Sequence, residues 1–246
     1  MPDSRKHRGP HPHDAELFAE SVHPALRQAV AHLSWLLSRD YAEPSSLKLV
    51  GDRFRLDERQ RKAVMRSCCS DQALLQRREK QRSSQQVAGE VLAIDGFNLI
   101  TTLEAALAGG VILEGRDGCY RDMASMHGNY RKVEETRPAL QMAGRTMEAL
   151  QVPACCWYLD RPVSNSGRLK VILYEIAEQH GWDWSVELVD DADPVVAASE
   201  HIAVSADSWV LMQCRQWFNL ARETIHRNAP QTPVLRMSDE LLGDAS

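Results

Sequence analysis

No apolar run in the 246 residues approaches the roughly 18 that a bilayer-crossing helix needs, so a helical membrane protein is excluded. The first residues, MPDSRKHRGPHPHDAE, are basic but lack the apolar stretch of a secretory signal, and a cytoplasmic protein is expected. There is no CxxC among the six cysteines, and two pairs, Cys68-Cys69 and Cys155-Cys156, are adjacent. Adjacent cysteines cannot both serve one zinc in knuckle geometry, and in a strand they point to opposite faces. Reduced, structural thiols are expected. Neither GxxxxGK[ST] nor GxGxxG occurs, and Gly109-Gly110 fits neither, which removes the common nucleotide and dinucleotide loops. Excess positive charge is also missing. The formal net charge of −5 argues against a strong nonspecific nucleic-acid binder. No internal repeat is present.

What charge there is lies unevenly. Residues 1–90 carry 16 Lys/Arg against 12 Asp/Glu, whereas residues 91–246 carry 13 against 22. A basic arm on a metal-binding catalytic domain has this pattern, and so do two ordinary domains. Residues 1–13 are expected to be disordered. Leu17, Val22, Leu26, Val30, Leu33, Leu36 and Leu37 recur at helical spacing between Asp14 and Arg39. Glu43-Pro44-Ser45-Ser46 then breaks the helix. Leu47–Leu56 alternates as two short strands or an extended loop would. Asp57 and Gln60 form a capping box for a helix running to about Gln81, and residues 82–86 read as a linker.

From there strands alternate with helices. Glu90–Asp95, Ala154–Asp160, Trp184–Val189 and Ile202–Asp207 read as strands, with a fifth at Val234–Met237. Helices are expected from Asn98 to Leu107, from Arg121 with a restart at Pro138, and near Arg168–Gln179. Val111–Tyr120 reads as a hairpin turning at Asp117-Gly118. The expectation is an α/β fold: a doubly wound, mostly parallel sheet over 88–246, preceded by a mainly helical domain over 14–83.

Three of these strands end in aspartates, Asp95, Asp160 and Asp207, and a fourth leads into Asp190, Asp191 and Asp193. In open parallel sheets the strands' carboxyl ends are where ligands bind. Two carboxylates about 4 Å apart repel by about 4 kcal/mol at an effective dielectric near 20, so a converging set calls for protons or a cation. A hard divalent ion held by oxygens, Mg²⁺ or Mn²⁺, fits such a set. An aspartate after a strand is also a common helix N-cap, and spacing alone does not choose between cap and ligand.

The run Ile94-Asp95-Gly96-Phe97-Asn98 resembles the first-strand signature of the PIN-like, NYN-type nucleases. Leu159-Asp160, Ala192-Asp193-Pro194 and Val204-Ser205-Ala206-Asp207-Ser208 are similar to that family's later acidic positions, and the likeness spans about residues 90–240. The resemblance implies a PIN-like fold and metal-assisted hydrolysis of RNA, with Mg²⁺ or Mn²⁺ at Asp95, Asp160, Asp193 and Asp207 as metal-binding and catalytic residues. Asn98 and Ser208 would support them, and a homodimer is a common arrangement in the family. The segment Leu113–Asp122 departs from the common core. Within it Asp122 stands in for a mid-sequence acidic residue, and Arg121 would clamp a phosphate, against the alternative of a charged turn and a cap. The N-terminal part, with GDRFRLDERQR, resembles the front of an uncharacterised prokaryotic family in which a helical region precedes a PIN-like domain.

Arg161, Asn165, Arg168 and Lys170 follow the second strand, where they line either a backbone-binding groove or an ordinary solvated face. Arg53, Arg55, Arg59, Arg61, Lys62 and Arg66 form a basic cluster that binds nucleic acid or faces the acidic part of the chain. Trp157, Trp182, Trp184, Trp209 and Trp217 are read as core, His127 as a surface residue or a base, and the tail histidines His7, His11 and His13 are set aside. The expectation is a metal-dependent ribonuclease with RNA as partner and no membrane. The alternatives are a noncatalytic PIN-like module that binds nucleic acid or protein, and a phosphatase or nucleotide hydrolase. The last ranks third because Asp95-Gly96-Phe97 lacks a second Asp two residues on.

Overall fold

The computed structural model describes residues 9–123, 130 and 132–239. Its N-terminal part is helical: α1 (Asp14–Leu17), α2 (His23–Leu37), α3 (Glu43–Arg53), α4 (Glu58–Ser67) and α5 (Asp71–Lys80). Two expectations fail here. Leu47–Leu56 is not a pair of strands but lies largely in α3, because Pro44 sits in a first turn, where its missing N–H costs nothing. Leu47, Val50 and Phe54 then share a helical face against the core. The helix expected from Asp57 to Gln81 is two helices. The Asp57–Gln60 capping box forms, but the chain extends at Cys68, and Ser70 caps α5 by accepting the Ala73 N–H at 3.1 Å.

The remainder alternates as β1 (Leu92–Asp95), α6 (Gly96–Leu107), β2 (Ile112–Glu114), β3 (Tyr120–Asp122), α7 (Thr136–Ala149), β4 (Ala154–Asp160), α8 (Ser166–His180) and β5 (Asp183–Val189). It continues with α9 (Ala192–Ala198), β6 (Ile202–Val204), α10 (Ser208–Gln213), α11 (Leu220–Asn228) and β7 (Val234–Arg236). Four strands form a parallel sheet in the order β5-β4-β1-β6. The hairpin around Asp117-Gly118 forms, with Gly118 in the left-handed region at φ 73°. Arg121 does not open a helix: Tyr120–Asp122 pairs with β2 along its length, which commits those backbone groups to a ladder. β7 joins the parallel side of β2, so the fifth expected strand belongs to a second, three-stranded sheet, β3-β2-β7.

Side-chain alternation explains the layers. In β4, Cys155, Trp157 and Leu159 are buried, and they join Leu92, Ile94, Val186 and Val204 beneath residues of α6, α7, α8 and α11. Ala203 and Tyr158 point the other way, toward Val196 and Ala197 of α9, Val210 and Leu211 of α10, and Trp217. Cys155 is buried and Cys156 half-buried, in line with opposite faces, and all six cysteines are free. The second sheet is the joint of the molecule. Leu113 and Leu235 from its strands, with Met123 and Met237, pack into the helical core of Leu26, Val30, Leu33, Val50 and Val64. Each such side chain contributes about 1.5–3 kcal/mol of apolar burial. Among the described residues no helix is long and apolar enough to cross a membrane.

Candidate functional site

The chain builds β1, moves outward through β4 to β5, then returns to place β6 on the free side of β1. The helices that follow β1 and β6 therefore leave toward opposite faces, and in open parallel sheets ligands bind at such a reversal, beyond the strands' carboxyl ends. Asp95 closes β1 at this end of the sheet and is 5% exposed. One carboxylate oxygen accepts the Asn98 N–H at 3.3 Å and caps α6; the other accepts the Ser205 hydroxyl at 2.9 Å. Asn98 itself reaches the segment after β6, its Oδ1 accepting the Ala206 N–H at 2.9 Å. Gly96 is required by packing, because a Cβ there would stand 2.4 Å from Leu159 Cδ2.

The other aspartates gather around it. Asp160 ends β4 and accepts the Ala192 N–H at 2.8 Å. Asp191 caps α9 through the Asp193 N–H, and Asp193 occupies the first turn, half-buried. β6 ends at Val204, three residues short of Asp207, which instead caps α10 by accepting the N–H groups of Trp209 at 2.7 Å and Val210 at 3.2 Å. Asp95, Asp160, Asp191 and Asp207 thus cap helices or bind a helix's first amide, while Asp95 also feels the charges of Asp193 and Asp160, and Asp193 those of Asp207, Asp191 and Asp160. Burial, then the charge of Asp193 and more weakly Asp160, push the Asp95 carboxyl up to about 7. Burial, then Asp207, Asp191 and Asp160, push Asp193 up to about 6. Among the described residues no three His, Cys, Asp or Glu side chains stand close enough to hold an ion between them.

Asp122 and Arg121 behave differently from one another. Asp122 is buried in β3, where it accepts the hydroxyls of Thr101 at 3.3 Å and Thr102 at 3.1 Å from α6. Arg121 is buried and already engaged: its fork holds Asp117 at 2.9 and 2.7 Å, and its Nε donates to the Ala206 carbonyl at 2.9 Å. A guanidinium committed on both sides cannot double as a phosphate clamp, so that expectation is not met. Burial alone would raise the Asp117 carboxyl, but Arg121 and Arg77 outweigh it and hold the group well below the usual range.

The residues after β4 are spread along an exposed edge. Arg161 donates to the Leu188 carbonyl at 2.6 Å and lies 3.5 Å from Asp190. Asn165, at φ 67°, donates to the Tyr130 carbonyl at 2.8 Å. Arg168 is exposed, and Lys170 lies over the Tyr174 ring. In the basic cluster, Arg59 binds Asp14 and the Met123 carbonyl, while Arg61 binds Asp52 and the Leu56 carbonyl. Burial and the neighbouring Arg66 lower the Lys62 ammonium, with Asp122 opposing. Part of that cluster therefore faces the rest of the chain, whereas Arg53 and Arg55 are exposed. Trp157, Trp184 and Trp217 are core, Trp182 stacks between His180 and Trp184, and Trp209 stands half-exposed beside Asp207. Ser208 is exposed and meets Arg77 through its carbonyl. His127 and His7 lie outside the described residues. Sequence reasoning missed Ser205 as a partner of Asp95, although it stands in the Ser-Ala-Asp-Ser run. Arg77 carried no local signal.

A family model described as a domain of unknown function (DUF5616) matches residues 84–223, which hold β1 to β6 and all four aspartates. The chain belongs to that family. A second model, a protein of unknown function (DUF434), matches residues 25–80, ending where α5 ends. The uncharacterized protein MJ0935 of Methanocaldococcus jannaschii is 25% identical over 190 residues, covering 75% of this chain and 91% of its own. No solved structure matches. The boundary between the two matches coincides with a structural seam. Gln81 forms a parallel bridge with Trp217, and the Trp217 indole donates to the Arg77 carbonyl at 2.8 Å, so the family domain is tied to the helices before it.

Proposed function

We propose that this protein is a metal-dependent ribonuclease of PIN-like type, acting at Asp95, Asp160, Asp193 and Asp207. The observation that carries the reading is the gathering of these carboxylates at the carboxyl ends of a parallel sheet, where burial first and the neighbouring aspartates second lift Asp95 to about 7 and Asp193 to about 6. The strand order 3-2-1-4, counted within that sheet, supports the PIN-like assignment, as does the Asp-Gly-x-Asn run at β1.

The donor set fits Mg²⁺ or Mn²⁺. All candidate ligands are carboxylate oxygens, and Asp160 and Asp207 each keep one oxygen outside their cap bonds. Because no three of them close on one point, an ion would be held by one or two carboxylates and its own waters, the usual habit of Mg²⁺. When bound, the ion supplies charge neutralisation at the phosphodiester and lowers the pKa of water. The chain's own residues do the rest. Ser205 and the Asn98 amide orient Asp95, Asn98 fixes the Ala206 peptide, and Asp95 or Asp193 is poised to hold a proton near neutrality.

The test is cleavage of a labelled single-stranded RNA in Mg²⁺ or Mn²⁺, with EDTA and with Asp95→Asn as controls. Metal-dependent cleavage lost in the variant supports the reading; cleavage unaffected by EDTA and by the variant contradicts it. A second reading, a noncatalytic binding module of the same fold, is favoured by one observation: Asp160 and Asp207 already act as partners of helix N-termini, which needs no metal.

A further inference from the structure

The carbonyls on either side of Asp207 are both held by buried arginines. Arg121 Nε donates to the Ala206 carbonyl at 2.9 Å, and Arg77 Nη2 approaches the Ser208 carbonyl at 3.4 Å. One carboxylate joins the two: Asp117 accepts Arg121 at 2.9 and 2.7 Å and Arg77 at 2.5 Å. All three side chains are at most 6% exposed. Arg77 comes from α5 of the helical N-terminal part, Asp117 and Arg121 from the hairpin that departs from the common core. From the opposite side, Asn98 Oδ1 holds the Ala206 N–H.

We infer that Arg77, Asp117 and Arg121 are positioning residues that fix the Ser205–Ser208 segment, so that the helical N-terminal part is a structural component of the acidic site. Ser205 reaches Asp95, and Asp207 carries charge into the same cluster, so a shift of this short segment moves both at once. The network is buried, with only Arg77 Nε left without a hydrogen-bond partner, and such buried pairs are costly to break but specify one arrangement. Asn98 holds the 205–206 peptide by its N–H, while the 206–207 peptide is held by its carbonyl at Arg121 and by its N–H at Ser205 Oγ, 3.0 Å away, so both peptides flanking Ala206 are fixed. This explains why Asp207 lies in place although β6 stops at Val204 and supplies no ladder bonds beyond it. The consequence for metal binding rests on the proposed function; the clamp itself does not.

The experiment uses the full chain with Arg121→Met, Arg77→Met and Arg121→Lys, and Arg59→Met as control. Arg59 pairs with the buried Asp14 inside the N-terminal part and reaches out of it only to the Met123 carbonyl at 3.4 Å, and it touches nothing near Asp207. Amide hydrogen exchange at Ala206 and Asp207 and Mn²⁺ affinity by electron paramagnetic resonance are read for each. Arg121→Met and Arg77→Met should exchange at least about 10-fold faster at these two amides and bind Mn²⁺ about 10-fold more weakly. Arg59→Met should lower the melting temperature and leave both readouts within twofold. Should Arg121→Met not fold, Arg121→Lys serves: a lysine can balance Asp117 but cannot hold it and the Ala206 carbonyl together, so exchange should still rise. Exchange at Ala206 and Asp207 within twofold of wild type in both Arg121 variants would overturn the inference, as would an equal rise in Arg59→Met. Wild type that binds no Mn²⁺ would instead sink the metal reading, with the exchange comparison still deciding the clamp.

Discussion

Ser205 donates a 2.9 Å hydrogen bond to the buried carboxylate of Asp95, joining two residues 110 positions apart at the adjacent ends of β1 and β6. That bond favours the ionised carboxylate, opposing the burial that favours the neutral one. Ser205→Ala should therefore push the Asp95 carboxyl further up and weaken Mn²⁺ binding about 10-fold to 100-fold, as loss of an outer partner of a metal ligand does. Isothermal titration with Mn²⁺ at pH 7 checks this; unchanged affinity would show that Asp95 does not contact the ion.

Asp95 and Asp193 have folded values, about 7 and about 6, above the carboxylate value of 3.8. Both carboxyls therefore hold their protons more tightly in the folded chain than in the unfolded one. Their contribution to stability is complete below pH about 4 and is lost as pH rises through 6 and 7. For the buried Asp95, each tenfold difference in proton affinity is worth about 1.4 kcal/mol. Without metal, the melting temperature should fall between pH 5 and 8, and Asp95→Asn, neutral throughout, should fall less. Parallel slopes in the two proteins would mean that Asp95 is ionised throughout that range.

Asp207 offers a way to separate capping from charge. Asp207→Ala removes the acceptor for Trp209 and Val210 and should cost about 1 kcal/mol. Asp207→Asn keeps the cap and removes the charge, so it should retain or gain stability without metal yet lose Mn²⁺ affinity. If the asparagine variant binds Mn²⁺ as wild type does, Asp207 is a cap and no more.

Gly96→Ala tests the close approach of β1 and β4. Its Cβ would meet Leu159 Cδ2 at 2.4 Å and the Tyr158 carbonyl at 3.0 Å, and the backbone contact cannot yield by a rotamer change. A loss of about 1–3 kcal/mol is expected, seen as a melting point roughly 2–10 °C lower.

The strand ends were legible because apolar runs of four to seven residues closing on Asp95 and Asp160 are local patterns, and the parallel sheet follows from their alternation with helices. Asp57 and Gln60 announced their cap for the same reason. Leu47–Leu56 misled because a short alternating run also fits a helix face, and only the packing of Val50 against α2 decides. Arg121 misled because sequence shows a charge without its partners: Asp117 is four residues away, but Arg77 and the Ala206 carbonyl are brought in by tertiary folding. β7 could be read as a strand, but not that it would pair with β2 rather than enter the main sheet.

Whether the acidic site binds a cation is tested most directly by a thermal melt in Mn²⁺ against EDTA, on wild type, Asp95→Asn and Asp193→Asn. Wild type in Mn²⁺ at 100 times its dissociation constant should be stabilised by about 2.7 kcal/mol, with both variants shifting little and each melting higher than wild type in EDTA. No metal-dependent shift in wild type, with both variants less stable than wild type, would contradict the bound cation and leave Asp95, Asp160 and Asp207 as partners of helix N-termini.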